Sequence, residues 1–520
     1  MHARPEDAEI AQAPVVAWLT ANLGAPVKRI DTQGAIVWLA GPDAVKMRRA
    51  IQLPFLDYST LEKRRLAALS EIAHNREAAP MIYRDAVAVT REGETFALDG
   101  AGEKVEWITR MRRFDEEATL DRLAERGELD ASLMAKLARA LVAAHARAPL
   151  TDAVSAIAHL ETWIAQNRAA FAEHEDLFAP DVAERLFQRS HDALTRLQAL
   201  LLERGAAGFC RRCHGDLHLR NIVVIAGEPV PFDAIEFDDA IASGDVLYDF
   251  AFTLMDIWER DFCAAANALF NAYLARGPDA HFAGLAALPL FLSVRASIRA
   301  KVEAANGGHL AGAARQGAEA AARRYFTFAS EFLDNAPARL IAVGGLSGSG
   351  KSALAGALAP DLGRAPGAVW LRSDVERKRM LGVAEDATLP DTAYAPGVTA
   401  EVYARCRRRA ALALRAGHSV LLDATHATAA ARRASSDVAV ETGAAFAGLW
   451  LEAPLATRLE RVSARRGDAS DADAIVARAQ RADPLAEPGW IALDATRPLA
   501  GLAASVRGNR AICPPPGPLL

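Results

Sequence analysis

The sequence predicts two domains in series: an N-terminal α+β domain of two lobes, and a C-terminal α/β domain with a parallel sheet of about five strands. Three observations support this prediction. Short strand patterns occupy roughly the first hundred residues, and helical patterns dominate from Glu116 to Leu333. After the segment Asp334–Ala338, apolar strand patterns alternate with helices, as in a parallel sheet covered on both faces. A chain of 520 residues is also too long for one hydrophobic core.

The N-terminal domain is expected to span 1–335, with a small β-rich lobe at about 1–110 and a helical lobe at about 111–335. In the small lobe, period-2 alternation and β-branched residues predict strands, and one longer segment shows helical periodicity. These segments are the strands Ala35–Leu39, Val87–Thr90, Phe96–Leu98 and Val105–Ile108 and the helix Thr60–Asn75.

The C-terminal domain is expected to span 338–500. Its predicted strands are short apolar runs, and helical patterns separate most of them. The strands are Leu340–Val343, Ala368–Leu371, Ser419–Leu422, Ala445–Leu451 and Trp490–Leu493. The proline-rich end of the chain predicts a loose tail over 501–520, because proline can join neither a helix nor a sheet interior.

One motif in the C-terminal domain indicates the ligand. Residues 345–352 read Gly-Leu-Ser-Gly-Ser-Gly-Lys-Ser and fit the phosphate-binding pattern G-x-x-x-x-G-K-[ST], between a strand and a helix. Lys351 would reach the β- and γ-phosphates, and Ser352 would ligate Mg²⁺. The motif therefore predicts a P-loop NTPase fold that binds ATP and Mg²⁺. The backbone around the phosphates would come from Gly345, Ser347, Gly348, Ser349 and Gly350.

Three further features of this domain favour a kinase. Asp374 and Arg377 are expected on the end of the second strand that faces the nucleotide, where a carboxylate can accept a proton from a substrate hydroxyl and a guanidinium can clamp a phosphate. Asp423 ends the third strand, the usual place of a carboxylate that orders Mg²⁺ or its water. The segment Thr457–Gly467, which includes Arg465, predicts an arginine-rich helix that closes over the phosphates. A solvated surface helix is the alternative.

This arrangement resembles the polynucleotide kinase, zeta-toxin and gluconate kinase group of P-loop phosphotransferases. The spacing of Asp374 and Arg377 is similar to that of the polynucleotide 5′-hydroxyl kinases. The resemblance covers 338–500 and implies catalytic roles for Asp374, Arg377 and Arg465. An ABC-type Leu-Ser-Gly-Gly-Gln signature does not occur in the sequence.

A second group of polar residues lies in the N-terminal domain, where 214–221 read His-Gly-Asp-Leu-His-Leu-Arg-Asn. Asp216 could accept a proton from an attacking hydroxyl, and Asn221 offers an amide oxygen to a metal. Asp233 follows a short strand and offers a second metal ligand. Phosphoryl transfer needs these groups because it depends on positioning and on charge neutralisation by Mg²⁺.

This group resembles the aminoglycoside phosphotransferase and choline kinase branch of the protein-kinase-like fold. The resemblance implies that Lys46 contacts ATP and that Glu71 is its helix-borne ion-pair partner, with Glu62 as the competing choice. The segment Glu106–Met111 looks like the hinge between the lobes. Gly34 is the single glycine where protein kinases carry a glycine-rich loop.

Composition restricts the classes of function. The net charge of −5 argues against a dedicated binder of nucleic acid or of an anionic membrane. We expect no membrane helix of roughly 18 apolar residues and no signal peptide, because the N-terminus is acidic. The five cysteines fit a reducing cytoplasm, and Cys210-x-x-Cys213 is more typical of two reduced thiols than of a zinc site.

Together these features predict a cytoplasmic, bifunctional kinase that transfers the γ-phosphoryl group of ATP to hydroxyl groups of small molecules. The domain order resembles bacterial proteins in which an aminoglycoside-phosphotransferase-like domain is joined to an ATP-binding kinase domain. Three alternatives stay open: one domain is a regulatory ATP-binding module, the C-terminal domain is a nucleic-acid 5′-hydroxyl kinase, or the chain is a pseudo-kinase scaffold. The sequence identifies neither substrate nor oligomeric state.

Overall fold

A computed structural model describes residues 5–24, 26–53, 56–465, 469–509 and 512, with side chains from residue 11 onward. The chain divides into two compact units. The first comprises 1–129, 143–159 and 205–253, and the second comprises 130–142, 160–204 and 254–520. The second unit contains helices that precede residue 335 together with the sheet that follows it. This division does not follow the predicted domain limits 1–335 and 338–500, which stay a prediction.

A six-stranded antiparallel sheet forms the beginning of the first unit. The helices and strands up to residue 112 are α1 (Pro5–Asn22), β1 (Val27–Asp31), β2 (Ala35–Ala40), β3 (Asp43–Arg48), β4 (Gln52–Leu53), β5 (Leu56–Asp57), α2 (Leu61–Asn75), β6 (Tyr83–Glu92), β7 (Thr95–Leu98) and β8 (Glu103–Arg112). The sheet order is β1-β2-β3-β8-β6-β7, and β4 and β5 form a separate hairpin. Leu19, Trp38 and Met47 are fully buried in one cluster on this sheet.

Strand β8 corrects one prediction. It runs unbroken from Glu103 to Arg112 between β3 and β6. The segment Glu106–Met111 is therefore the interior of a sheet strand, and the prediction that it forms the hinge is wrong. Glu106 is buried in this strand. Its carboxylate pairs with Arg64, whose Nε lies 2.8 Å from Glu106 Oε1, and this pairing compensates the burial of the charge.

Two small two-stranded sheets lie in the region of the chain that carries Asp216, Asn221 and Asp233. Strands β9 (Cys210–Arg212) and β12 (Ser243–Asp245) pair with each other, as do β10 (Ile222–Ile225) and β11 (Glu228–Pro231). The helices between residues 113 and 335 are α3 (Leu120–Glu125), α4 (Ala131–Arg147), α5 (Ala153–Ala172), α6 (Pro180–Ala206), α7 (Asp239–Ala242), α8 (Val246–Glu259), α9 (Cys263–Arg276), α10 (Ala280–Gly284), α11 (Leu288–Gly307) and α12 (Gly312–Glu331).

The helical run Ala280–Gly307 is long and apolar enough to span a membrane by length and composition. However, 83% of its most apolar window is buried inside the protein. Such burial is also found in the core helices of soluble proteins, so the run is weak evidence for a membrane span.

The residues after 338 form the expected parallel sheet with helices around it. Its elements are β13 (Arg339–Gly344), α13 (Lys351–Leu358), β14 (Val369–Arg372), α14 (Ser373–Met380), α15 (Pro396–Arg415), β15 (Val420–Asp423), α16 (Ala429–Thr442), β16 (Ala445–Glu452), α17 (Leu455–Ala464), α18 (Ala474–Ala479), β17 (Trp490–Asp494) and α19 (Leu499–Gly508). The order is β14-β15-β13-β16-β17, with every neighbouring pair parallel. The five predicted strands are confirmed, and the fold is that of a P-loop NTPase.

The start of the predicted tail is ordered as helix α19. Leu502, Ala503 and Val506 are buried in the same core cluster as the central strand β13. The prediction of a loose tail from residue 501 is therefore wrong as far as residue 508, because an apolar helical face overrides the proline-rich end. The prolines of 513–520 lie outside the described residues.

Candidate active sites

The loop between β13 and α13 has a backbone that suits only glycine at key positions. Gly345, Gly348 and Gly350 have φ of 140°, 82° and 95°. A Cβ on Gly348 would lie 2.4 Å from the backbone oxygen of Arg458, which is closer than any real Cβ contact. The loop opens at the carboxyl end of the central strand and at the start of a helix, where backbone N–H groups bind phosphate.

Ser352 and Asp423 form the candidate metal site beside this loop. Ser352 Oγ donates a hydrogen bond to Asp423 Oδ2 at 2.6 Å. Asp423 is buried at the end of β15, and burial raises the pKa of its carboxyl group. A hydroxyl and a carboxylate oxygen side by side are donors of the kind that Mg²⁺ prefers. Lys351 is close by, and burial lowers the pKa of its ammonium group.

Asp374 and Arg377 line the same cavity of about 1120 Å³ as the phosphate-binding loop. Strand β14 ends at Arg372, so the two residues lie on helix α14 and not on the strand end that the sequence predicted. Their spacing of three puts both on one face of the helix. Arg377 is buried, donates to the backbone oxygen of Ala393 at 2.6 Å and lies over the Tyr394 ring at 4.7 Å.

The arginine-rich helix α17 contacts the phosphate-binding loop. Arg461 donates to the backbone oxygens of Ser349 at 3.3 Å and Ala495 at 2.8 Å. Arg458 is buried, so a purely solvated surface helix is excluded. Arg465 follows the helix and lines the cavity. The expected lid motion stays a prediction, and 466–468 lie outside the described residues.

One polar cluster at this cavity was not predicted from the sequence. Asp471 accepts hydrogen bonds from the Tyr394 hydroxyl at 2.6 Å and from Lys378 Nζ at 3.1 Å. These pairs are 77 and 93 residues apart, so no short motif could indicate them. Gln480 was missed for the same reason, although its Oε1 accepts the backbone N–H of Ser347 at 2.7 Å.

In the first unit, Lys46 lies between two carboxylates. Its Nζ is 2.8 Å from Glu71 Oε1 and 2.8 Å from Asp233 Oδ1. Burial opposes the charge on Lys46, but Asp233 and Glu71 outweigh it and raise the lysine pKa well above its usual value. The ion pair predicted between Lys46 and Glu71 is therefore present, whereas Glu62 is exposed and pairs with Arg65.

A second buried cation shares Glu71 and was missed by sequence reasoning. Arg48 is 1% exposed, and its Nη2 lies 2.9 Å from Glu71 Oε2 and 2.8 Å from Glu236 Oε1. Arg48 follows Lys46 by two residues on β3, so their side chains leave the same face of the sheet. The only sequence signal for Arg48 was its position in the strand pattern, two residues after Lys46.

The predicted base and its neighbouring metal ligand are also brought together. Asn221 Nδ2 donates to the Asp216 backbone oxygen at 3.0 Å and to Asp216 Oδ2 at 3.1 Å. This arrangement leaves Asn221 Oδ1 as the atom able to meet a cation. The Asn221 backbone oxygen accepts the N–H of Phe232 at 2.9 Å, which ties it to the residue before Asp233. Asp233 has a φ of 61°, a strained value that is frequent at functional sites.

Cys213 joins a buried group with His145 and Asp249. Both oxygens of Asp249 are engaged: Oδ1 accepts the Gly215 N–H at 2.8 Å, and Oδ2 lies 3.2 Å from His145 Nε2. Burial raises the pKa of the Cys213 thiol well above its usual value. The group therefore fits a hydrogen-bonded support for the loop of Asp216 better than a metal site. Cys210 and Cys213 are both free thiols, as predicted.

Two segments of the chain match family models. Residues 54–288 match the phosphotransferase enzyme family (APH), and residues 340–484 match an AAA domain. The chain thus contains a phosphotransferase domain of protein-kinase-like fold and a P-loop domain of kinase type, which confirms both resemblances. It is accordingly a phosphotransferase.

Two relatives are similar to this chain over most of its length. The uncharacterized protein Rv2004c of Mycobacterium tuberculosis and the uncharacterized protein Mb2027c of Mycobacterium bovis are each 28% identical over 456 residues, covering 86% of this chain and 88% of the relative. Among solved structures, choline kinase from Cryptosporidium parvum Iowa II is 12% identical, covers 61% of this chain and 95% of its own, and has a TM-score of 0.39. A gluconokinase from Sinorhizobium meliloti 1021 is 23% identical, covers 33% and 90%, and has a TM-score of 0.24.

Proposed function

We propose that the chain is a cytoplasmic, ATP- and Mg²⁺-dependent kinase with two nucleotide sites, each of which phosphorylates a hydroxyl group of a small molecule. The observation that carries the proposal is the cavity of about 1120 Å³. Its walls bring together the phosphate-binding Lys351, the Ser352–Asp423 pair and the carboxylate of Asp374. Phosphoryl transfer needs groups that bind phosphate, ligands for a metal ion and a general base. Candidates for all three line this cavity.

At the C-terminal site, the loop amides and Lys351 would hold the triphosphate. Ser352 and Asp423 would hold Mg²⁺, which when bound neutralises phosphate charge. Asp374 would accept the proton of the acceptor hydroxyl while that oxygen bonds to the γ-phosphorus. The bond between the γ-phosphorus and the bridging oxygen breaks, and ADP leaves.

At the N-terminal site, the same chemistry would use a different set of residues. Asp216 would be the base, and Asn221 and Asp233 would supply oxygen ligands to Mg²⁺. Lys46, held by Glu71 at 2.8 Å, would contact the α- and β-phosphates. Asp233 Oδ1 lies 2.8 Å from Lys46 Nζ, so the carboxylate that would hold Mg²⁺ is already fixed beside the lysine that would contact the phosphates.

The lining of the C-terminal cavity supports a small-molecule acceptor over a nucleic-acid end. Among the residues that the structure describes, its walls carry five acids beside six cations, so they lack the strong excess of positive charge that binds a polyanion. These acids are Asp374, Asp391, Asp423, Asp471 and Asp473. A 5′-hydroxyl kinase would require basic surface along the strand.

A screen of a small-molecule metabolite extract with γ-labelled ATP tests the proposal. Wild type, Asp216→Ala and Lys351→Ala are compared in parallel. Each variant should lose a different labelled product, and Asp216→Ala should lower its own product by about 10²–10⁴-fold. Loss of both products in one variant would favour a regulatory role for that domain. Labelled products that neither variant lowers would contradict both site assignments.

A further inference from the structure

Strand β14, which leads directly into Asp374, is an edge strand of the parallel sheet within the described part of the chain. Edge strands carry backbone groups that need partners. Here the partners come from helix α9, which precedes the sheet by about sixty residues. Asn271 Oδ1 accepts the Trp370 N–H at 2.6 Å, and Asn271 Nδ2 donates to the Ala368 oxygen at 3.1 Å.

Asn267 extends this contact by one helical turn. Its Nδ2 donates to the backbone oxygens of Pro366 at 2.9 Å and Ala368 at 3.1 Å, and its side chain is 3% exposed. Residues four apart lie on one face of a helix. Asn267 and Asn271 therefore supply the hydrogen bonds that a further strand would make, and they fix the start of β14.

A series of ion pairs, here called the charge chain, connects helix α14 to the turn between α9 and α10. Asp279 Oδ1 accepts hydrogen bonds from Arg409 Nε at 2.9 Å and Arg409 Nη2 at 2.7 Å. Arg409 is 2% exposed, and its Nη1 binds Glu376 Oε2. Arg405 Nε binds the other oxygen of Glu376 at 2.8 Å. Glu376 is two residues beyond Asp374 and does not line the cavity that Asp374 lines.

We call the part of the cavity at the phosphate-binding loop the nucleotide half, and the part at Asp374 the acceptor half. Other contacts support the nucleotide half. Gly345 N–H donates to the Thr425 oxygen at 3.0 Å, and Ser352 pairs with Asp423. These supports all come from within the sheet domain. The acceptor half also uses residues of α9 and of the turn that follows it.

We propose that Asp279, through Arg409 and Glu376, is a positioning residue for Asp374, so that helices before the predicted domain boundary set the acceptor half of the C-terminal site. The inference rests on the proposed function, in which Asp374 is the base. A misplacement of about 1 Å can cost about a hundredfold in rate. Loss of the charge chain should therefore lower turnover and leave nucleotide affinity unchanged.

The test uses the full chain with Asp216→Ala as background, so that the N-terminal site is silent, and water as the acceptor. Lys351-dependent ATP hydrolysis is measured for Asp279→Asn, for Asp279→Glu and for the control Asp261→Asn. Asp261 is an exposed acid in the turn before α9, and it pairs with Arg324. Hydrogen exchange of 373–380 and 351–358 is followed on the same samples.

Asp279→Asn should lower kcat about tenfold with the KM for ATP unchanged within about twofold. Exchange should accelerate over 373–380 and stay constant over 351–358. Asp279→Glu should restore most of the turnover, and Asp261→Asn should match the background. An unchanged kcat in Asp279→Asn would overturn the positioning role. A joint change of kcat, of the KM for ATP and of exchange in both segments would overturn it as well, because it would indicate a general structural role for Asp279.

The exchange data also separate this inference from the proposed function. Absence of Lys351-dependent hydrolysis in the background protein would count against kinase chemistry at this site. Exchange over 373–380 that does not respond to Asp279→Asn would overturn the positioning role, whatever the chemistry. Asn271→Leu gives a local check, because exchange of the Trp370 amide should accelerate about tenfold or more.

Discussion

The Tyr394 hydroxyl donates a hydrogen bond to Asp471 Oδ2 at 2.6 Å, which joins two segments that both line the C-terminal cavity. Tyr394 belongs to the segment after the acceptor helix α14, and Asp471 follows the arginine-rich helix α17. Lys378 Nζ lies 3.1 Å from Asp471 Oδ1 and holds the same carboxylate from α14. We expect these three groups to limit the entry of water on the acceptor side of the cavity.

Weakening this closure should uncouple ATP hydrolysis from transfer. Asp471→Asn removes the charge that both Tyr394 and Lys378 bind, and Tyr394→Phe removes one hydrogen bond. The ratio of free phosphate to labelled product in the metabolite extract should rise several-fold in Asp471→Asn and less in Tyr394→Phe, because water then competes as the acceptor. Equal ratios in wild type and both variants would show that closure does not depend on this contact.

Glu71 should be essential for both activity and stability of the N-terminal site. Glu71→Gln leaves Lys46 and Arg48 buried with less compensating charge, and such a loss costs about 3–5 kcal/mol. Thermal unfolding and the product assigned to Asp216 are the measurements. Glu62→Gln is the matched control, because Glu62 is 63% exposed in its pair with Arg65 and should change stability by less than about 1 kcal/mol. Equal effects of the two substitutions would contradict the assignment.

Local sequence patterns were sufficient to predict most helices and strands. They were insufficient to predict the contacts between segments that are distant in the sequence. The five strands of the parallel sheet were found because each is a short apolar run between turn signals. Glu71 was found because the family resemblance implies a helix-borne acid beside the lysine, and the helix after the lysine strand offers Glu62 and Glu71. Lys46 and Asp233, in contrast, meet across 187 residues, and no spacing rule indicates that they touch.

The errors have similar physical causes. Asp374 was placed on a strand end, but the helix begins at Ser373, because helix boundaries depend on packing as well as on sequence. The tail helix α19 was missed because its apolar face, with Leu502 and Val506, finds a partner only in the folded core. The support that α9 gives to β14 depends on tertiary contacts that the sequence does not display.

Gly348 should be irreplaceable for nucleotide binding. A Cβ at this position would lie 2.4 Å from the Arg458 oxygen, so Gly348→Ala must displace the phosphate-binding loop or helix α17. Calorimetric affinity for ATP should fall more than about tenfold at the C-terminal site. Gly443→Ala is the control, since its φ of 68° gives similar backbone strain with no atom near the added Cβ. Loss of affinity in both variants would point to general strain.

A buried histidine should make the second unit sensitive to acid. His418 is 0% exposed, its Nε2 lies 3.1 Å from the Leu285 oxygen, and burial lowers its pKa to about 3. An unfolded histidine has a pKa of about 6.5, so below that value the unfolded chain binds a proton that the folded chain does not. This contribution is fully present above about pH 6.5 and is lost as the pH falls toward 3.

Between pH 7 and pH 5 the wild type should therefore lose about 2 kcal/mol of unfolding free energy through His418 alone. His418→Gln keeps a donor for the Leu285 oxygen and cannot titrate, so its loss over the same interval should be smaller by that amount. His309→Gln is the control, because His309 is exposed. Urea unfolding at the two pH values measures the difference. Parallel losses in wild type and His418→Gln would show that the imidazole does not titrate with unfolding.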